Sequence, residues 1–408
     1  MRDFMNPAAE QRLRGYFDHI GDLLGDKRRR ESFAVYAMGL LGEGERKSFE
    51  PIACRACPDP RKADAAHQRI QQFATDSPWS DERIRRAAAQ YALAPMTARE
   101  PIEVWITDDT GFLKQGTHSV GVQRQYTGSA GKVTNCQIGV SLSVATRTEH
   151  LPIDFELYLP RSWTDDPARM KEARVTDGIE FQTKPELALN MIRRAVAAGV
   201  PKGVVLADSA YGSSKAFRRG IRELNLHFAV GVDPKTNVLL VNKREQIRGP
   251  ALNVRDIAFM IRDRNGFRRC TWRKGTRDDL TAKFALRRVV IADEGSSAPD
   301  EREPLWLLIE WRDGESEPAN YFFCSLSTRR TKKQLIRLVM QRWRTERVYE
   351  DLKNELGLDH FEGRQFRGWH HHVSVALCCY AFIIAERVRR FPPSARRSPQ
   401  AESQSLAA

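Results

Sequence analysis

The sequence predicts a mixed α/β protein with a mostly helical beginning and a β-rich stretch late in the chain. Three observations point that way. Residues 1–98 carry helix-like runs. The segment after residue 101 alternates strand-like runs with a helix. Residues 228–325 hold a succession of apolar runs parted by Gly, Asp and Pro turns. With 408 residues, 41% of them hydrophobic and 29% charged, the chain has the balance of a globular protein of two or three domains.

In the helical part, AEQRLRGYFDHIGDLLG and DERIRRAAAQYAL have helical patterning, and Pro78, Trp79 and Ser80 precede the second as a cap signal. PIEVWITDDTG is then a short strand-like run ending in two carboxylates and a glycine. Residues 135–146 alternate and favour β-branched side chains, and residues 151–160 read as a third strand. A helix at 185–198 closes on Gly199, and KGVVLADSAYGSS is an apolar strand that ends in Asp208. Helices return at 331–356 and at about 369–390. The resulting boundaries are 1–98, a helical part whose reading as DNA-contacting rests on charge and position; 99–227, an α/β part; 228–327, a β-rich insertion; 328–390, the final helices; and 391–408, a disordered tail rich in Pro, Ser and Ala.

The formal charge is +14, from 66 Lys and Arg against 52 Asp and Glu. Such a field attracts polyanions, of which nucleic acid is the commonest. Lys27, Arg28, Arg29 and Arg30 form a run that suits a phosphate backbone, or else a solvated face. Seven cysteines at irregular spacing argue against a disulfide framework and for a reducing cytosol. Cys54 and Cys57 lack a second pair at zinc-finger spacing. The first residues show no signal-peptide core, and the apolar stretch 373–386 is too short to span a bilayer, so it reads as a buried helix with no membrane partner. A Walker A loop, a dinucleotide fingerprint, a nucleophile elbow and HExxH are all missing, which excludes the chemistries they carry. His370, His371 and His372 point about 100° apart on a helix and make a poor metal cage. With Gly363, Arg364 and Arg367 they read as a polar turn near DNA or near the active helix.

Three acidic positions remain: the pair Asp108–Asp109, Asp208 and Glu346. The first two lie at the ends of predicted strands, where α/β folds place ligand sites. Strand alternation puts Val104, Ile106 and Asp108 on one face and Asp109 on the other. Asp108 is thus the first choice of metal ligand, and Asp109 the alternative if the strand ends one residue early. Val339, Arg342, Glu346, Tyr349 and Lys353 follow steps of three and four and form one helical stripe. Taken alone, the stripe fits a salt-bridge ladder on a solvated face. Joined with the aspartates, it supplies oxygen ligands of the kind Mg²⁺ prefers, with Arg342 and Lys353 placed to hold an anionic strand. Two such ions about 3.5–4 Å apart suit phosphodiester hydrolysis and strand transfer. Carboxylates alone leave Mn²⁺ open as well.

Several longer motifs occur in order across roughly residues 35–390. They are ITDDTGFLKQGTHSVGVQRQYTGSAGKVTNCQIGVSLSVAT, LYLPRSWTDDPARM, TKPELAL, VLADSAYGSS and QRWRTERVYEDLKNELGLDHFEGRQFRGWHHHV. In them the sequence resembles the IS701 family of bacterial transposases, within the wider IS4-like DDE group. The resemblance implies an α/β fold: an RNase H-like catalytic core with a β-rich insertion, preceded by a mostly helical N-terminal domain. It puts the catalytic acids in the DDT at 108–110, at Asp208 and at Glu346. The family's helix pattern, Tyr-x2-Arg-x3-Glu-x6-Lys, is met by Arg342, Glu346 and Lys353, with Val339 in the tyrosine's place, and Tyr211 matches the aromatic after the second acid and is expected to contact DNA. The implied activity is excision and integration of an insertion element. It involves two divalent ions per site, double-stranded DNA with terminal inverted repeats, target DNA, and self-association in the synaptic complex. A catalytically inactive or domesticated DNA-binding relative is the alternative.

Overall fold

The computed structural model describes residues 6–57, 59–242, 244, 246–273, 279–292 and 303–390. The tail 391–408 lies outside the described residues. Five helices come first: α1 (Pro7–Leu24), α2 (Lys27–Leu41), α3 (Phe49–Ala56), α4 (Pro60–Thr75) and α5 (Asp81–Arg99). Their starts follow local chemistry. Asn6, Asp26, Asp59 and Ser80 each accept a hydrogen bond from the first turn of the helix they precede.

A mixed α/β domain follows: β1 (Val104–Leu113), β2 (Gln123–Thr127), β3 (Lys132–Ala145), β4 (His150–Tyr158), α6 (Arg161–Thr164), α7 (Pro167–Glu172), α8 (Lys184–Ala197), β5 (Val204–Ala207), α9 (Ser209–Gly212), α10 (Lys215–Glu223) and β6 (Phe228–Gly231). Next come β7 (Asn237–Val241), β8 (Ile247–Asn253), α11 (Val254–Asp263), β9 (Arg268–Arg273), β10 (Leu280–Ile291), β11 (Leu305–Trp311) and β12 (Asn320–Cys324). The chain closes with α12 (Lys332–Val339), a 3₁₀ turn at Met340–Arg342, α13 (Trp343–Glu350), a π turn at Asp351–Glu355, and α14 (Phe366–Arg390).

All the described strands join one sheet, ordered β2-β3-β1-β5-β6-β12-β11-β10-β7-β8, with β4 also on β3 and β9 on β10. The pairs β1–β5 and β5–β6 are parallel, and the other described pairs are antiparallel. The strands of the β-rich stretch therefore extend the central sheet from β6 outward. Two apolar clusters mark the sheet's faces. Trp105, Val205, Ala207 and Val230 face the larger core, shared with α1, α2, α4, α5, α8 and α14. Val104, Ile106, Val204 and Leu206 face Leu335, Ile336 and Val339 of α12.

The apolar stretch at 373–386 is, as read, a buried helix. α14 is long and apolar enough to cross a membrane by length and composition, yet 89% of its most apolar window is buried inside the protein. It packs on α2, α4, α5 and β4. The three histidines do not form a polar turn. They lie buried on α14, because each ring finds partners inside. His370 meets Glu156, His371 meets the carbonyls of Ala74 and Trp79, and His372 meets Tyr36 and the carbonyl of Leu358. A second difference concerns residues 331–356, read as one helix. The 3₁₀ turn breaks it just before Glu346 and the π turn ends it. The short strand β2 and the helix α11 were not foreseen. QRQYT lacks an apolar alternation, and VRDIAFMIRD sits among strand-like runs.

Helix α5, strand β4, helix α8 and helix α14 are tied by a buried ion cluster. The Arg85 guanidinium bonds Asp81 at 2.5 Å and Asp154 at 3.2 Å, and it also donates to Ser374. Arg194 bonds Asp154 at 2.7 Å and Glu156 at 2.6 Å. Burial alone would raise the Asp81 and Glu156 carboxyls. Arg85 outweighs it at Asp81, and His370 with Arg85 and Arg194 outweighs it at Glu156, so both are pulled down to about 2.

Removing one partner of such a cluster strands the others without compensation. Arg85→Met is expected to cost about 3–5 kcal/mol in denaturant unfolding at neutral pH. Because the folded-state carboxyls titrate below their unfolded values, the stabilisation is complete above about pH 4.5 and fades as pH falls toward 2. The wild-type advantage over Arg85→Met should shrink across that window. A gap that stays constant with pH would refute this account.

Candidate active site

Strand β1 is hydrogen-bonded along its whole length to β3, pairing Asp108 with Ser141 and Asp109 with Val140. The two aspartates thus sit in mid-strand rather than at a strand end, because β3 is long enough to hold β1 as far as Leu113. On its other edge, β1 pairs in parallel with β5 only over Val104–Ile106 against Val204–Leu206. Two residues past Ile106 comes Asp108, and two past Leu206 comes Asp208. Both continue the face that carries Ile106 and Leu206. Asp208 leaves the strand as the cap of α9, where Oδ1 accepts from the Ala210 amide at 2.9 Å.

The last helical segments cover this same face. Arg342, at the end of the 3₁₀ turn, donates to Asp108 Oδ2 at 2.7 Å. Burial alone would lower the Arg342 pKa, but Asp108, Asp208 and Glu346 together raise it, so all three acids act on one guanidinium. Glu346, one turn on, is exposed. A cavity of about 580 Å³ is lined by Asp208, Arg342 and Glu346, with Trp272 and Trp343 beside them. Asp108 lies behind Arg342, only 9% exposed. Burial, with Asp208 and Asp109 nearby, pushes its carboxyl up to about 7 even against Arg342.

The other face of β1 gives Asp109 a different setting. Lys184, in the first turn of α8, bonds Asp109 Oδ2 at 2.9 Å, and the Tyr211 hydroxyl donates to Oδ1 at 3.1 Å. The alternation read from the sequence therefore holds. Asp108 shares a face with Asp208 and the Glu346 helix, while Asp109 is held from behind by a lysine and a tyrosine.

The stripe of α12 and α13 is not a solvated ladder. Val339 is buried against the sheet. Tyr349 bonds Ser141 at 2.7 Å, next to Asp108 across the ladder. Lys353 donates to the Gly111 carbonyl at 2.7 Å and to Ser129 at 3.2 Å. Intrahelical pairs lie elsewhere, from Arg347 to Glu350 and Asp351. Tyr211, expected at DNA, is instead fully buried, because its ring packs beside Phe217 and its hydroxyl is taken by Asp109. Lys184, Ser141 and Ser129 were not singled out from the sequence. TKPEL did mark the helix start that places Lys184, but pairing with Asp109 depends on tertiary packing.

The predicted phosphate contacts are spread over other surfaces. Lys27 to Arg30 open α2, where Arg29 donates to the Leu24 carbonyl and Arg30 pairs with Asp22 at 2.8 Å. Arg367 donates to the Asp76 carbonyl, and Arg364 is exposed. Neither set reaches the acid cavity.

Among the described residues, no group of three or more His, Cys, Asp or Glu side chains is gathered closely enough to hold a metal ion. The donor chemistry at the cavity is nonetheless that of a hard-cation site, with carboxylate oxygens from Asp208 and Glu346 and neither thiol nor imidazole among the described lining residues.

Residues 19–279 match a family model described as DDE superfamily endonuclease. The match includes Asp108 and Asp208 and stops before Glu346. A relative from Microchaete diplosiphon, described as a probable transposase for insertion sequence element IS701, is 32% identical over 218 residues. That alignment covers 53% of this chain and 52% of the relative, so the chain spans about half the length of the curated relative it matches.

Lys353→Met should cost about 1–2 kcal/mol of stability in thermal or denaturant unfolding, because it removes the charged donor from the Gly111 carbonyl. An unchanged melting curve would show that Lys353 is free of β1.

Proposed function

The chain belongs to the DDE superfamily endonuclease family, and from that membership we propose that it is a DNA transposase acting through Asp108, Asp208 and Glu346. The parallel register of β1 and β5 carries the reading. It lines up the first two acids on one face, and Arg342 brings the Glu346 helix to that face. The order β4-β3-β1-β5-β6, an antiparallel meander followed by parallel strands, supports an RNase H-like core.

Asp108, Asp208 and Glu346 would hold Mg²⁺ or Mn²⁺. Two bound ions would supply activation of the attacking oxygen and stabilisation of the departing one. The rest falls to the chain itself. Lys184 and Tyr211 fix Asp109 and so fix the strand residue beside Asp108. Tyr349 and Lys353 clamp the Glu346 helix to β3 and β1. Arg342, now bonded to Asp108, is placed to pass to a phosphate oxygen of the scissile strand when cations neutralise the acids. The substrates in this reading are terminal inverted repeats and target DNA, and pairing of two ends calls for self-association. Asp109 serves as a support in this scheme rather than as the first ligand.

The test is cleavage of DNA carrying the element's own terminal repeats. Wild type should cut at the repeat boundary only with Mg²⁺ or Mn²⁺. Glu346→Gln and Asp208→Asn should lose at least about 1000-fold in rate, roughly 4 kcal/mol, while binding the same DNA. Equal cleavage by Glu346→Gln would remove Glu346 from the site. A second readout is independent of turnover: divalent cation should raise the melting temperature of wild type and leave that of Asp208→Asn unmoved.

A further inference from the structure

A groove of about 1090 Å³ runs beside the acid cavity, between β9, the beginnings of β1 and β5, and helix α12. Trp272, Met340 and Trp343 line both spaces, so the groove opens onto the acids past these side chains. Among its described lining residues, seven are Arg or Lys and two are Asp or Glu. The cations are arranged, not scattered. Lys333 and Arg337 are exposed and four apart, so they form one stripe along α12, and Arg330, exposed in the turn just before that helix, lines the same groove. The opposite side of that helix is buried through Leu335, Ile336, Leu338 and Val339. Among the described residues, the side chains of Arg330, Lys333 and Arg337 have no acidic partner. Arg273, from β9, lies 3.5 Å over the Trp343 ring and carries the positive lining toward the acid cavity.

Unpaired like charges along one groove repel each other, and a polyanion with regularly spaced charges relieves that repulsion. We propose that this groove binds the DNA backbone next to the scissile phosphate. In it, Arg330, Lys333 and Arg337 contact phosphates independently of sequence, and Arg273 on Trp343 guides the strand to Asp208 and Glu346. This inference rests on the transposase reading and adds to it the surface that tracks the DNA. It differs from Lys27–Arg30, Arg364 and Arg367, which do not line this groove.

The test measures binding of the full chain to a fluorescent duplex of arbitrary sequence across a NaCl series. The comparison is between wild type, the double variant Lys333→Gln/Arg337→Gln, and a control, Arg193→Gln/Arg219→Gln. The control removes the same charge from exposed positions on α8 and α10. Loss of two phosphate contacts should flatten the slope of log affinity against log salt by about 1.8. Affinity at physiological salt should fall about tenfold or more, and the control should follow wild type. If the groove variant keeps the wild-type slope, with or without weaker binding, or if the control flattens equally, the groove assignment is wrong while the transposase reading stands. If wild type fails to bind DNA at any salt, the transposase reading itself falls. Equal melting temperatures of the three proteins confirm that folding is not what changed.

Discussion

Strand β1 is bonded on both edges, antiparallel to β3 and parallel to β5, and most of what matters here hangs on that double pairing. The β3 ladder fixes which way every side chain of β1 points. The shorter β5 ladder stops before the aspartates and leaves open space beside them, where Asp208 turns off into α9. A one-residue slip in either pairing would send Asp108 to the side of Lys184 and Tyr211 and bring Asp109 to the side of Arg342. The packing of Trp105, wholly buried with its indole N–H on the Pro201 carbonyl, opposes such a slip.

Much of this was legible in the residues. The runs PIEVWITDDTG and KGVVLADSAYGSS marked strands, and the alternation that put Asp108 on one face and Asp109 on the other held because a buried strand has no freedom to twist one residue out of phase. The cap signal ending in Ser80 announced the start of α5. What could not be read was set by contacts far apart in sequence. That β1 runs on past its acids depends on the length of β3. That Tyr211 is buried depends on Asp109, 102 residues away. The stripe through Glu346 gave two readings of equal periodicity, since a helix face toward a polar site and a face toward water use the same residues. The histidines misled for a related reason: three polar residues in a row are ordinarily surface, and here each ring meets a separate inner partner.

Electrostatics divides the molecule into two regimes. Around Arg85 and Arg194 three carboxylates share two guanidiniums, and with Ser374 and His370 they hold four elements together. Around Arg342 the imbalance is larger, with three acids acting on one cation and a carboxyl held near neutrality. The first arrangement is complete as it stands. The second is an anionic pocket that gains from added positive charge, and it adjoins a groove with the opposite excess. Such a contrast over a short distance suits the proposed function, in which a polyanion is drawn in and cations gather at one of its phosphates.

Helix α14 has a consequence for how the protein comes into being. It is the buried centre against which the first helices pack, and Arg12 on α1 bonds Glu386 across 374 residues of chain. On the ribosome, α1 to α5 emerge long before the helix that covers them, with their apolar faces waiting for it. Folding of this core is therefore expected to be largely post-translational, and a transcript interrupted ahead of α14 would yield a sticky, chaperone-bound fragment rather than a working shortened enzyme.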